Sequence, residues 1–129
     1  MEEFPKYGIE FDFTVGFSKE DFSSKIKANT KVIYVETPSN PLMKITDLEM
    51  IAKLAKEKKI VSLIDNTFAS PINQTPSNFG IDVVIHSATK YLGGHSDICA
   101  GAVAASVAAS VAAVVATVAA AVVAAAAGP

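Results

Sequence analysis

Asp97 is the last charged residue of this 129-residue chain, and from Ala102 to Pro129 only Ala, Val, Ser, Thr, Gly and Pro occur. That alphabet offers no charged or aromatic group, so chemistry has to be sought before it. The tail repeats a Val-Ala-Ala-Ser phrase at 103–106 and 107–110 and then passes into Ala/Val runs. It is longer than the roughly 20 apolar residues that cross a bilayer. It has no Leu, Ile, Phe or Trp and no Lys or Arg at its end, which makes a membrane anchor the weaker reading. Alanine favours a helix and valine opposes one only slightly, so a low-information helix is the default expectation for the tail. The chain therefore divides into residues 1–103 and an Ala/Val segment, residues 104–129.

The first region alternates strand and helix signals, as a three-layer α/β domain should. Residues 8–15 (GIEFDFTV) alternate well enough for a strand. Ser18 offers an N-cap to a short helix running to Lys27, with Asp21 in its first turn. Residues 31–36 (KVIYVE) form a β-branched and aromatic strand run. Thr46 or Asp47 can cap the next helix, whose apolar positions Leu48, Ile51, Leu54 and Ala55 recur at helical spacing. Residues 60–65 (IVSLID) are nearly continuous and suit a strand covered on both faces, and 81–86 (IDVVIH) repeat the pattern. Strands joined by helices point to a mostly parallel sheet with right-handed crossovers.

A formal net charge of -2 provides no field to attract nucleic acid. The basic cluster 53–59 reads as a solvated helix end, where cations are favoured. The chain has one cysteine, Cys99, so no internal disulfide can form, and its small apolar neighbours suggest a buried structural thiol. Residues 1–6 lack the apolar core of a signal peptide, and a cytoplasmic location is the default expectation.

In a parallel sheet the ligand site lies beyond the carboxyl ends of the strands. Three runs end there in polar clusters: residues 36–41 (ETPSNP), 65–68 (DNTF) and 86–90 (HSATK). Pro, Ser and Asn explain the first as a turn. Asp65 closes an apolar strand, where an unpaired carboxylate is costly to bury, so it needs a cationic or protonated partner. Lys90 follows another apolar strand closely, and a lysine held against apolar walls has a lowered pKa and becomes a nucleophile for an aldehyde. Ser87 and Thr89 can donate to phosphate oxygens, although hydroxyls there also serve as caps. Gly93 and Gly94 allow close backbone approach or positive φ. An acid, two hydroxyls and a lysine at adjacent strand ends are what pyridoxal phosphate requires: a partner for its ring nitrogen, phosphate donors and an aldehyde trap.

Residues 35–41 (VETPSNP), 64–71 (IDNTFASP) and 86–97 (HSATKYLGGHSD), in that order and spacing, resemble the Cys/Met-metabolism family of pyridoxal-phosphate enzymes. The resemblance covers about residues 5–103. It implies part of the large domain of a fold-type I, aspartate-aminotransferase-like enzyme, a partial three-layer sandwich. It implies that Lys90 forms a Schiff base with the cofactor, that Asp65 pairs with the ring nitrogen, and that Ser87 and Thr89 bind the phosphate. Asn40 would lie near the cofactor's phenolic oxygen or the substrate; as a residue before Pro41 it also reads as a plain turn former. His86 and His95 lack paired-ligand spacing and read as hydrogen-bonding residues rather than metal ligands. Tyr91 reads as packing and Tyr34 as a strand aromatic.

The implied activity is trans-sulfuration: γ-elimination or γ-replacement on cystathionine or an O-acylhomoserine, a small sulfur amino acid as substrate, in a homotetramer. It also implies that the chain is incomplete. The stacking tyrosine, the upstream phosphate loop and the arginine that grips the substrate carboxylate are expected outside it. Two competing expectations remain. One is a truncated or designed piece that keeps the lysine motif without catalysis, and the other is a membrane-tethered α/β domain.

Overall fold

Ser18 starts a helix by the mechanism its sequence position predicts. In the computed structural model, which describes residues 4–106 and 121–125, Ser18 Oγ accepts from the Asp21 N–H at 3.2 Å. Asp21 Oδ2 in turn accepts from the Ser18 N–H at 2.9 Å, which completes a capping box for α1 (Lys19–Lys25). Asp47, rather than Thr46, caps α2 (Leu48–Lys58) by accepting from the Met50 N–H at 3.0 Å. That helix stops at Lys59, which adopts the left-handed conformation at φ 56 and returns its N–H to the last carbonyls. Lys56 and Lys58 occupy the last turn, where the helix dipole favours cations.

The strands are β1 (Phe11–Thr14), β2 (Thr30–Glu36), β3 (Val61–Asp65), β4 (Val83–Ser87), β5 (Gly101–Ala105) and β6 (Ala121–Ala125). A single turn of helix, α3 (Ser70–Asn73), and a 3-10 turn (Pro76–Phe79) connect β3 to β4. The sheet order is β1-β6-β2-β3-β4-β5, with every pairing parallel except that of β4 with β5.

One face of this sheet carries the core. Ile33, Val35, Ile64 and Val84 are buried against Ile51, Leu54 and Ala55 of α2 and Phe22 of α1. Alternate residues on the other face, among them Tyr34, Leu63 and Ile85, are half-buried. The run at 60–65 is thus fully covered on one face only. A polar clasp secures the start of β3: Asp82 Oδ2 accepts from Ser62 N–H at 2.9 Å and Ser62 Oγ–H at 2.7 Å. Ser62 Oγ accepts from the Asp82 N–H at 3.0 Å, so a buried hydroxyl is satisfied in both directions.

The clasp explains why β4 begins at Val83 rather than at Ile81: Asp82 is turned toward Ser62, and Ile81 packs into the core. The first strand shortens from 8–15 to Phe11–Thr14, because Gly8 takes positive φ in a turn and Val15 is exposed. The largest correction concerns the tail. Residues 121–125 form a strand, not the expected helix, seated between β1 and β2. The crossover from β1 through α1 to β2 leaves a gap one strand wide, whose bare N–H and C=O groups need partners. β-Branched valine suits such a place. The rest of the tail, 107–120 and 126–129, lies outside the described residues. β5 runs two residues past the expected boundary at 103. Cys99 is exposed rather than buried, because it belongs to the loop ahead of the edge strand β5 and not to the core. Among the described residues, no helix is long and apolar enough to cross a membrane.

Removing a fully buried side chain from α2 should cost far more than removing an exposed ion pair from the same helix. Leu54→Ala is expected to lose about 2–5 kcal/mol through lost burial and a residual cavity. Glu57→Ala, which breaks the exposed 3.0 Å pair with Lys19, should lose less than about 1 kcal/mol. Urea unfolding of both variants checks the difference, and equal losses would contradict the position of the core.

Candidate active site

Because β2, β3 and β4 are parallel, their carboxyl ends lie along one edge. Glu36 of β2 is the register partner of Asp65 of β3, which in turn faces Ile85 of β4. The loops that follow enclose a cavity of about 700 Å³, within the size range of small-molecule sites. Asn40, Asp65, Ser87, Thr89 and Lys90 all line it, so the five residues singled out in the sequence meet in one place. Glu36, Thr67, Phe68 and Tyr91 complete the nearer walls.

The acid end is more elaborate than the sequence suggests. Asp65 Oδ1 accepts from the Thr67 N–H at 2.9 Å, and the Tyr34 phenol on the neighbouring strand lies within reach of the same carboxylate's charge. Burial, then the charges of Asp65 and Glu36, push the Tyr34 phenol up to about 12. Glu36 is raised as well, first by burial and then by Asp65, while a bond from the Asn40 N–H pulls the other way. None of the described ion pairs uses Glu36 or Asp65. Two neighbouring carboxylates without a cation favour a protonated guest.

The other end supplies donors. Ser87 closes β4, and its N–H reaches Thr67 Oγ1 at 2.7 Å. Thr89 lies in the turn that follows. Its hydroxyl donates to the Ala100 carbonyl at 3.3 Å and accepts from the Ala100 N–H at 3.0 Å. The Lys90 N–H returns to the Ser87 carbonyl at 3.1 Å, and the Gly94 N–H to the Lys90 carbonyl at 2.8 Å. Gly94 has φ +78, and a Cβ on Gly93 would come within 2.9 Å of the Ala88 carbonyl, so this tight loop needs both glycines.

Lys90 itself is exposed at the cavity rim, not held against apolar walls as expected, because the chain has already left β4 when it reaches this residue. Asn40 is placed by the turn its sequence suggests. It sits in a turn, held by its N–H to Glu36, and it forms part of the cavity wall. Tyr91 is exposed with its ring edge-on to Phe68, the centroids 6.2 Å apart. His95 Nδ1 lies 3.2 Å from the Gly93 carbonyl, whereas His86 Nδ1 is buried without a protein partner. Among the described residues no cluster could hold a metal.

Three residues were missed as contributors in the sequence: Tyr34, Glu36 and Thr67. The first two lie two apart on one strand, a spacing that puts them on the same face. Their meeting with Asp65 depends on cross-strand register, which spacing along the chain does not reveal.

The model of the Cys/Met metabolism PLP-dependent enzyme family matches residues 1–127. A cystathionine gamma-synthase/O-acetylhomoserine (thiol)-lyase of Bacillus subtilis (strain 168) is 53% identical over 102 residues, 78% of this chain and 27% of the relative. A cystathionine beta-lyase of Lactococcus lactis subsp. cremoris is 51% identical over 98 residues, 76% of this chain and 26% of the relative. The crystal structure of metB from Corynebacterium glutamicum superposes with a TM-score of 0.77 at 44% identity, covering 81% of this chain and 27% of that one. The chain thus spans about a quarter of the length of its relatives. A synthase and a β-lyase match almost equally, so identity alone selects no reaction.

The raised Tyr34 phenol makes a signed prediction. Between pH 10.0 and about 12 the folded chain holds a proton that the unfolded chain has released. Its contribution is therefore complete below pH 10.0 and fades as pH rises through about 12. Tyr34→Phe should remove this alkaline decline while leaving the stability near neutrality much closer to that of the unaltered chain. Urea midpoints of both proteins at neutral pH and across the alkaline window test this. Parallel declines would mean that Tyr34 does not face the carboxylates.

Proposed function

This chain belongs to the Cys/Met metabolism PLP-dependent enzyme family, and from that premise we propose that its strand-end cavity holds pyridoxal phosphate and serves γ-elimination or γ-replacement on a sulfur amino acid. Cystathionine or an O-acylhomoserine is the proposed substrate. The supporting observation is that Asp65, Ser87, Thr89 and Lys90 line one cavity at the carboxyl ends of β3 and β4.

The residues fit the cofactor's chemistry. Two carboxylates lacking a described cation suit a protonated ring nitrogen, with Asp65 as its partner. Ser87 and Thr89 would donate to the phosphate, and the tight turn at Gly93 and Gly94 follows directly. Asn40 lines the wall along with Glu36 and would serve the phenolic oxygen or the substrate. When bound, the cofactor supplies an electron-withdrawing ring. Lys90 would provide the amine that holds its aldehyde, and its Nζ would accept and return a proton as general base. The homotetramer and the cytoplasmic setting belong to this proposal through the family resemblance.

A second reading is a segment that retains the motif without a working pocket. Two features favour it: Lys90 is exposed, and the only proton of the Thr89 hydroxyl is engaged by Ala100.

Borohydride trapping separates the two. The purified chain is incubated with pyridoxal phosphate, reduced, and mapped by peptide mass spectrometry beside Lys90→Ala and Asp65→Asn. The cofactor reading expects one dominant adduct on Lys90, absent from Lys90→Ala. Asp65→Asn should weaken uptake about tenfold to a hundredfold, the scale of one lost charge-assisted bond. Adducts scattered over surface lysines, equal in all three proteins, would favour the motif-only segment.

A further inference from the structure

We propose that Thr67 is a positioning residue of this site: its hydroxyl replaces a missing rung of the β3–β4 ladder and so fixes Ser87 and the turn that carries Lys90. The inference rests on the cofactor-site reading given above. Register pairing of β3 with β4 ends at Asp65 and Ile85. One further backbone rung follows, from the Asn66 N–H to the Ile85 carbonyl at 2.9 Å. In a parallel ladder the next bond would run from the Ser87 N–H to the Asn66 carbonyl.

That carbonyl instead accepts from the Ser70 N–H at 3.0 Å as the chain turns into α3, and the Ser87 N–H is directed to a side chain. Ser87 is half-buried, and its N–H would be left without an acceptor at the floor of the cavity. Thr67 Oγ1 fills the place at 2.7 Å, a bond linking residues twenty apart in sequence. The same residue donates its own N–H to Asp65 Oδ1 at 2.9 Å.

Thr67 therefore joins the acid at the end of β3 to the first hydroxyl residue at the end of β4. The effect extends one turn further, because the Ser87 carbonyl receives the Lys90 N–H at 3.1 Å. Loss of the Thr67 hydroxyl frees the Ser87 amide and loosens the turn bearing Lys90. Asp65 keeps its bond, since that bond comes from the main chain. Valine has the shape of threonine without the hydroxyl, and serine retains the hydroxyl alone.

The test compares the full chain with Thr67→Val and Thr67→Ser. Amide hydrogen exchange at Ser87 is measured without cofactor, and borohydride-trapped pyridoxal phosphate on Lys90 is measured with it. Circular dichroism confirms that each variant folds. The expected result is a Ser87 amide that exchanges about tenfold faster or more in Thr67→Val and at nearly the original rate in Thr67→Ser. Trapping should fall about tenfold in the valine variant and return with serine. Unchanged Ser87 exchange in Thr67→Val overturns the proposal, and so does faster exchange with undiminished trapping. If the unaltered chain traps nothing on Lys90, the cofactor reading fails by itself, and the exchange data alone decide for or against the Thr67 tether.

Discussion

The register of β2, β3 and β4 is the constraint on which the rest depends. Side chains alternate across a sheet, so a slip of one residue in β3 would exchange the faces of Ile64 and Asp65. Ile64 is fully buried under α2, and Asp65 stands on the opposite face at the cavity. A slipped strand would drive a carboxylate among Ile51, Leu54 and Val35 while exposing an isoleucine. That arrangement loses apolar burial and adds the desolvation of a charge. The core on one face therefore fixes the positions of the polar residues on the other. Val35 does the same for Glu36.

Register also creates the electrostatic character of the acid end. Pairing Glu36 with Asp65 brings two carboxylates onto adjacent strand ends. The charge of Asp65 makes ionisation of Glu36 less favourable, on top of the larger effect of burial. The fold meets the conflict with neutral groups rather than cations: the Thr67 N–H on Asp65, with the Tyr34 phenol and the Asn40 main chain close to the pair. Neutral donors leave the negative charge in place, so the site keeps its preference for a protonated guest. A lysine or arginine at the same point would have satisfied the carboxylates and removed that preference.

What could be read from the sequence follows from the same physics. The cap at Ser18, and the one at Asp47 to within a residue, are legible because they act within three residues. Asp65 and Ser87 stood out because polar residues ended apolar strand runs. Glu36, Tyr34 and Thr67 matter only through contacts between strands, and nothing along the chain records which strands adjoin. The environments of Lys90 and Cys99 differ from those their sequence neighbours suggest, for a related reason. Both sit beside apolar sequence, yet each lies in a loop outside the packed face, where neighbours in sequence are not neighbours in space. The strand at 121–125 was the least legible element. Its alanines favour a helix locally, and only the gap between β1 and β2 gives an extended conformation its partners.

Thr89 shows how the fold can hold a donor in reserve. Its hydroxyl proton is directed at the Ala100 carbonyl, a long contact of 3.3 Å. The Thr89 main-chain N–H donates to that same carbonyl at 3.2 Å. If the hydroxyl turns toward an anion, the carbonyl keeps an N–H and is not orphaned. The Ala100 N–H can remain on Thr89 Oγ1, which accepts through a lone pair whatever the direction of its proton. Exchanging a long neutral bond for a charge-assisted one is favourable, because the latter is roughly twice as strong. The bonds to Ala100 thus hold the oxygen of Thr89 in place just ahead of β5, and its proton can turn away without orphaning the Ala100 carbonyl.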